Sequence, residues 1–203
     1  IVNYFYTLIA MTCFYGGFMG MREINDIQAN ISPAAARVNV APIHKLKAFL
    51  SSSAASLLVQ YSEMLILFAY LKFILNVGFG NRIGLIFLTT FIGSIAGLSF
   101  GAFISALFKK SEGAKTGILI LSTMVCSFLA GMMQLSIKYI ISQKAPLLSW
   151  INPLNLLTDA FYCLYYYDTL SRYMLNMTIL LAFILLFCSV TYFIIRRRKY
   201  ASL

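Results

Sequence analysis

The sequence predicts an all-α fold, a polytopic transmembrane helix bundle, and three observations carry that prediction. Residues 1–21, 83–108, 116–137 and 173–195 contain no Asp, Glu, Lys or Arg, and residues 48–71 contain one, Glu63. About 20 apolar residues at ~1.5 Å rise span the ~30 Å hydrocarbon core of a bilayer, and each stretch meets that length. Charged residues make up 11% of the 203, far below the roughly 25% of soluble proteins. Five spans therefore leave no room for a sizeable aqueous domain. The chain reads as a single transmembrane domain over 1–203, with spans A to E at about 1–21, 48–75, 83–108, 116–138 and 173–195. Segment 22–47 joins A to B, and a helical segment at 139–172 joins D to E.

Span A begins with Ile1 rather than Met, already inside an apolar run, so the chain reads as part of a longer frame. It lacks the basic leader and Ala-x-Ala site of a secretory signal and is taken as a true span. The charges orient it. If A runs outside to inside, the inner segments hold Arg22, Arg37, Lys45, Lys47, Lys109, Lys110, Lys115, Arg196, Arg197, Arg198 and Lys199, 11 of the 16 basic residues. Lys72, Arg82, Lys138, Lys144 and Arg172 fall on the other side, mostly at span ends where they snorkel. Basic residues concentrate in cytoplasmic loops, so the amino end lies outside and the carboxyl end inside a multiply crossed cell membrane. The net charge of +10 does not point to nucleic acid, because the basic residues sit beside spans where they meet lipid headgroups.

Segment 22–47 is too short for a domain. Ser32 before Pro33 is a helix start, with Ser as N-cap and Pro at the first helical position. A short helix along the membrane face is expected, either as a lipid-touching loop element or as a docking helix for a cytoplasmic partner. Its mixed charge and two prolines suit a rigid contact.

Span B carries Glu63, the only acidic residue within a span. At helical spacing it shares a face with Ser53, Ser56, Gln60 and Tyr70, a stripe about 100° wide. An acidic side chain at mid-membrane costs ~2.5–3.5 kcal/mol, so this stripe should face protein or water. It is either interhelical glue or the lining of a substrate path or dimer seam. Span C carries Gly93, Gly97, Gly101 and Ser105 at i+4 spacing, which lets two helix backbones approach closely. Gly16 and Gly20 repeat that spacing on A, which predicts that A and C touch. After span D, Asn152-Pro153 opens a helix with the apolar stripe Leu154, Leu157, Phe161 and Leu164. Trp150, Tyr162, Tyr165, Tyr166, Tyr167 and Tyr173 surround it, as in an amphipathic helix lying flat within an interfacial aromatic belt. Span E ends in the anchor Arg196–Lys199.

Gly16-Gly17-Phe18-Met19-Gly20-Met21-Arg22-Glu23, followed by Arg37 and Ala41-Pro42-Ile43-His44-Lys45, resembles the second helix and coupling segment of ABC type-2 transporter permeases. Glu23, Arg37, Pro42 and Lys45 are the positions that match. Gly93, Gly97 and Gly101 before Phe108-Lys109-Lys110-Ser111 resemble that family's small-residue helix and its basic turn. Phe128-Leu129-Ala130-Gly131-Met132, Ala145-Pro146, Asn152-Pro153 and Asp159-Ala160 resemble its penultimate helix and outer re-entrant elements. The resemblance covers essentially the whole chain and places the family's first helix upstream of Ile1. It implies the permease subunit of an ATP-driven exporter, acting as a dimer or half of a pseudo-dimer. A separate nucleotide-binding ATPase, carrying the ATP and Mg, would dock on a coupling helix in 22–47 through Arg22, Glu23, Asp26, Arg37, Pro42 and Lys45. Segment 139–172 would be a re-entrant hairpin with Asp159 at its mouth, and the translocation path would pass Ser56, Gln60, Glu63 and Asp159.

The chain itself offers little for covalent chemistry. It has no GxxxxGK[ST] loop; Gly113-Ala114-Lys115-Thr116 lacks the first glycine and the preceding strand. Neither HExxH nor GxSxG occurs, and Cys13, Cys126, Cys163 and Cys188 show no ligand spacing with His44. No catalytic residue, metal or bound cofactor is therefore expected. Two further classes stay open: an integral-membrane enzyme acting on lipid, and a non-transporting immunity or anchor protein.

Overall fold

A computed structural model describes residues 2–27, 45–108 and 111–197. Among these the regular secondary structure is all helix: α1 (Val2–Tyr15), α2 (Gly17–Ile27), α3 (Lys45–Phe73), α4 (Ile83–Leu107), α5 (Glu112–Leu129), α6 (Leu135–Lys144), α7 (Pro146–Ile151), α8 (Pro153–Tyr166) and α9 (Ser171–Arg197). Four of them, α3, α4, α5 and α9, are each long and apolar enough to cross a membrane. The fifth expected span, A, is divided into α1 and α2 at Gly16.

That division has a local cause. The Gly16 amide bonds to the Cys13 carbonyl at 3.2 Å rather than to Thr12, one turn back in an α-helix. The Thr12 carbonyl instead accepts from the Gln60 side chain of α3 at 3.1 Å. A side chain inserted into the backbone ladder bends a helix, and a glycine leaves this one the most room. A Cβ on Gly16 would meet Gln60 Cδ at 3.0 Å.

The bundle is organised round α4. Half of its apolar window is buried, against 22% for α3, α5 and α9. The glycines explain why. A Cβ on Gly97 would lie 2.1 Å from the Cys13 carbonyl oxygen, and one on Gly101 would lie 1.9 Å from that of Gly17. A Cβ on Gly20 would lie 2.0 Å from the Leu98 carbonyl oxygen. Spans A and C therefore meet backbone to backbone as the sequence predicts, though through Gly17 and Gly20. Gly16 faces α3 instead. Gly93 opposes α8, where a Cβ would meet Leu157 at 2.7 Å.

Span D is shorter than the sequence reading, which carries it to 138. It ends at Leu129 in a Schellman motif: the Met132 amide bonds to the Ser127 carbonyl, the Gly131 amide to Phe128, and Gly131 takes φ 90°. The next three helices form a hairpin. Asn152 caps α8 by accepting from the Leu154 and Asn155 amides, and it donates to the Cys126 carbonyl of α5 at 2.8 Å. Leu157, one turn further, reaches Gly93, ten residues into α4 and thus about 15 Å from its start. At the other end of α8, Tyr162 and Tyr166 donate to Asn3 at the beginning of α1. The hairpin thus enters about half the depth of the bundle and leaves by the same end. α8 is buried on almost every side, from Pro153 to Thr158 and at Ala160, Phe161, Cys163 and Leu164. This corrects the interfacial reading of a helix lying flat, because α8 has no free polar face.

The same end is closed by aromatic packing. Tyr6 is fully buried, stacks on Phe161 with centroids 5.4 Å apart, and donates to the Phe79 carbonyl at 3.0 Å. Arg82 donates to the Tyr167 and Asp168 carbonyls at 3.1 and 2.7 Å, tying the α3–α4 loop to the α8–α9 loop.

Candidate functional site

Three polar constellations lie inside the apolar bundle. The first two share α2. Glu23 is 5% exposed, and its Oε2 accepts from the Ser53 hydroxyl of α3, with Ser56 adding a second hydroxyl contact. Burial pushes the Glu23 carboxyl above its ordinary value, the two serines pull against this, and the Asp26 carboxylate adds to the rise. Two residues on, Asn25 points the other way. Its Oδ1 accepts from Ser105 of α4 at 2.8 Å and from the Lys115 ammonium of α5 at 2.7 Å. Lys115 also donates to Ser105 at 3.2 Å and is fully buried. One turn of α2 is thereby bonded to α3, α4 and α5.

The charge-based reading found Glu23 but not Asn25, and it took Lys115 for a loop cation. The available signal was Ser105, the polar last member of the i+4 stripe of span C. Arg22 and Asp26 form an exposed i,i+4 pair at 4.0 Å, a contact of small energetic weight. Lys45 opens α3. Arg37, Pro42 and the expected helix start at Ser32-Pro33 lie outside the described residues.

The stripe on span B is split by its surroundings. Gln60 is 3% exposed and held by Thr12, and Ser53 and Ser56 turn toward Glu23. Met64 and Leu71 are buried beside them. Glu63 lies about 60° round the helix from Gln60, and it is exposed, as is Tyr70. The 100° stripe is real, but the edge of the buried face runs through it.

The third constellation joins the hairpin to α9. The Asp159 carboxylate accepts from Arg172 Nε at 2.9 Å and Nη2 at 3.2 Å, and from Asn176 Nδ2 at 2.8 Å. The Lys138 ammonium of α6 lies 3.4 Å away and 4.1 Å from the Tyr162 ring centroid. Burial pushes the Lys138 ammonium below its ordinary value, with Asp159 opposing. Burial would raise Asp159, but Lys138, Asn176 and Arg172 outweigh it and hold the carboxyl below the usual range. Two cations share one carboxylate, which accepts three hydrogen bonds from Arg172 and Asn176. It ties α8 to α6 and α9.

Among the described residues no group of His, Cys, Asp and Glu is placed to hold a metal ion. Residues 1–193 match the family described as ABC-2 family transporter protein. No curated protein and no solved structure matches the chain.

Proposed function

The chain belongs to the ABC-2 family of transporter proteins, as a multi-pass membrane permease of an ABC transporter, and on that premise we propose that a separate ATPase subunit drives it as an exporter. The observation that carries this reading is the double bonding of α2. The chain between Ile27 and Lys45 joins α2 to α3, so an ATPase docked there acts on both helices at once. α2 is seated in α4 backbone to backbone and cannot slide alone. α3 is the freer element, held to α1 and α2 by the Gln60–Thr12 bond and the Glu23–serine contact. ATP binding and hydrolysis would shift α3 against the α2–α4 unit.

In this reading Arg22, Glu23, Asp26, Arg37, Pro42 and Lys45 belong to the coupling region, with the α2 end in the cytoplasm. A second copy or a homologous half completes the permease. Substrate passes along the edge of α3 that carries Glu63, with Ser56 and the buried Gln60 behind it, and Asp159 latches the hairpin at the exit. ATP and Mg stay on the ATPase.

The test is biochemical. The permease purified from its native membrane should bring a nucleotide-binding subunit with it, and Arg22→Cys should cross-link to that subunit. Proteoliposomes of the pair should transport only while ATP is hydrolysed. Transport that persists without hydrolysis, or purification without any ATPase, would refute the coupling.

A further inference from the structure

Among the described residues, Glu63 is the one charged side chain exposed in the middle of a span. Lys72, Glu112, Arg172 and Arg196 lie at span ends, and Lys115 is fully buried. No hydrogen bond or ion pair from the described residues reaches the Glu63 carboxylate. On the same exposed side stand Val59, 51% exposed, and Ile66, 70% exposed. A carboxylate in such a place is costly and marks a pathway or a counter-ion site unless a partner compensates it.

The chemistry of that partner can be narrowed. A metal ion of the calcium or magnesium kind needs about six oxygen ligands at short range. The nearest hydroxyl, on Ser62, is exposed but donates to the Leu58 carbonyl of its own helix at 2.7 Å. The next along this edge of α3, Ser56 and Tyr70, are each seven residues and so about 10.5 Å away, too few for such a site. A parallel twofold contact of α3 with its copy sets Glu63 against Glu63 only where the axis passes through it, and there it would set carboxylate against carboxylate. The apolar flanks select against a strongly hydrated ion or a polyol.

We infer that Glu63 is the docking point for an organic cation, a ligand whose positive charge is carried on an apolar body. The inference rests on the path proposed above and names its substrate class. Binding sets the cation against the carboxylate while Val59 and Ile66 receive the apolar part, and Tyr70 stands one station further along the same edge.

The experiment uses the permease with its ATPase in lipid nanodiscs and a hydrophobic carbodiimide, which modifies carboxyl groups in apolar surroundings. Modification at Glu63 is followed by mass spectrometry, with tetraphenylphosphonium or tetraphenylborate added, two ions of the same shape and opposite charge. Tetraphenylphosphonium should slow modification of Glu63 at least tenfold more than tetraphenylborate does. Its half-maximal concentration for stimulating the ATPase should rise at least tenfold in Glu63→Gln and stay near the original in Glu63→Asp. Equal protection by both ions would overturn the inference, and so would a Glu63 that the reagent never reaches, since protein would then cover it. Labelling needs no ATP, so the inference can fail while the ATPase remains coupled. The converse outcome is equally readable.

Discussion

Replacing Gly101 by alanine tests the α2–α4 contact most directly. The added Cβ would stand 1.9 Å from the Gly17 carbonyl oxygen, with Gly17 C and Cα at 2.4 and 2.5 Å. All three are backbone atoms of a helix, so no side chain can swing away. An ordinary carbon–oxygen contact is about 3.3 Å, and the helices must part by more than about 1 Å. The parting also loosens Gly97 against Cys13 and Gly20 against Leu98. Overpacking of this kind costs about 1–3 kcal/mol, and the rigid surroundings put Gly101→Ala at the upper end. About 3 kcal/mol is a roughly hundredfold change in the folding equilibrium and about 6–12 °C in Tm for a chain of this size. The assay is thermal unfolding in detergent, with Gly117→Ala as control. Gly117 has open space where a Cβ would go, and alanine is the better helix former there. If Gly101→Ala unfolds at the temperature of the control, the argument from backbone contact is wrong. A double change at Gly97 and Gly101 should cost less than the sum of the two, because the first already parts the helices.

Further outcomes follow from the polar constellations. Asp159→Asn leaves the buried Lys138 ammonium without its carboxylate and should cost about 3–5 kcal/mol in thermal unfolding, while Lys138→Met in the same chain should recover more than half. For Glu23 the sign is set by burial, which raises its folded pKa above the unfolded 4.5. Its contribution to stability is therefore complete below that value and is lost as pH rises through the folded pKa. Melting curves from about pH 4 to about pH 8 should show this decline in the wild type and lack that component in Glu23→Gln. Asn152→Ala removes both the α8 cap, worth about 0.5–2 kcal/mol, and the bond to Cys126. Amide exchange should accelerate in α7 and α8 while α4 stays protected.

Much of this architecture could be read from charge and hydropathy, and the misses have particular causes. The ends of α3, α4 and α9 coincide with Lys45 and Lys72, Arg82, and Arg172 and Arg196, because a membrane span stops where charge begins. The ends of α1 and α5 carry no such mark. Gly16 and Gly131 sit in unbroken apolar runs, and what interrupts the helix is a glutamine from another span in one case and a backbone motif in the other. The pairing of spans A and C was visible in their glycine spacing, although which glycine met which partner was not. Charge sorting assigned Lys115 to the surface, because nothing in its own neighbourhood announces that Asn25 and Ser105 close over it. The wheel placed Glu63 with Gln60 correctly, but only the packing of α1 and α2 decides where the buried face of α3 ends.

The hairpin also constrains how the molecule can be made. At 14 residues, α8 is about 21 Å long, and α7 at six residues is about 9 Å. Neither can be inserted as a crossing segment, so residues 135–166 must be delivered to one face and fold back into the bundle afterwards. Their seat is built from α1, α4 and α5, and its latch from Arg172 and Asn176 of α9, which is synthesised after the hairpin. The latch can therefore close only after translation of α9. A nascent chain stopped before α9 would present Leu154, Leu157 and Phe161 without their shelter, and membrane quality control would see it as unfinished.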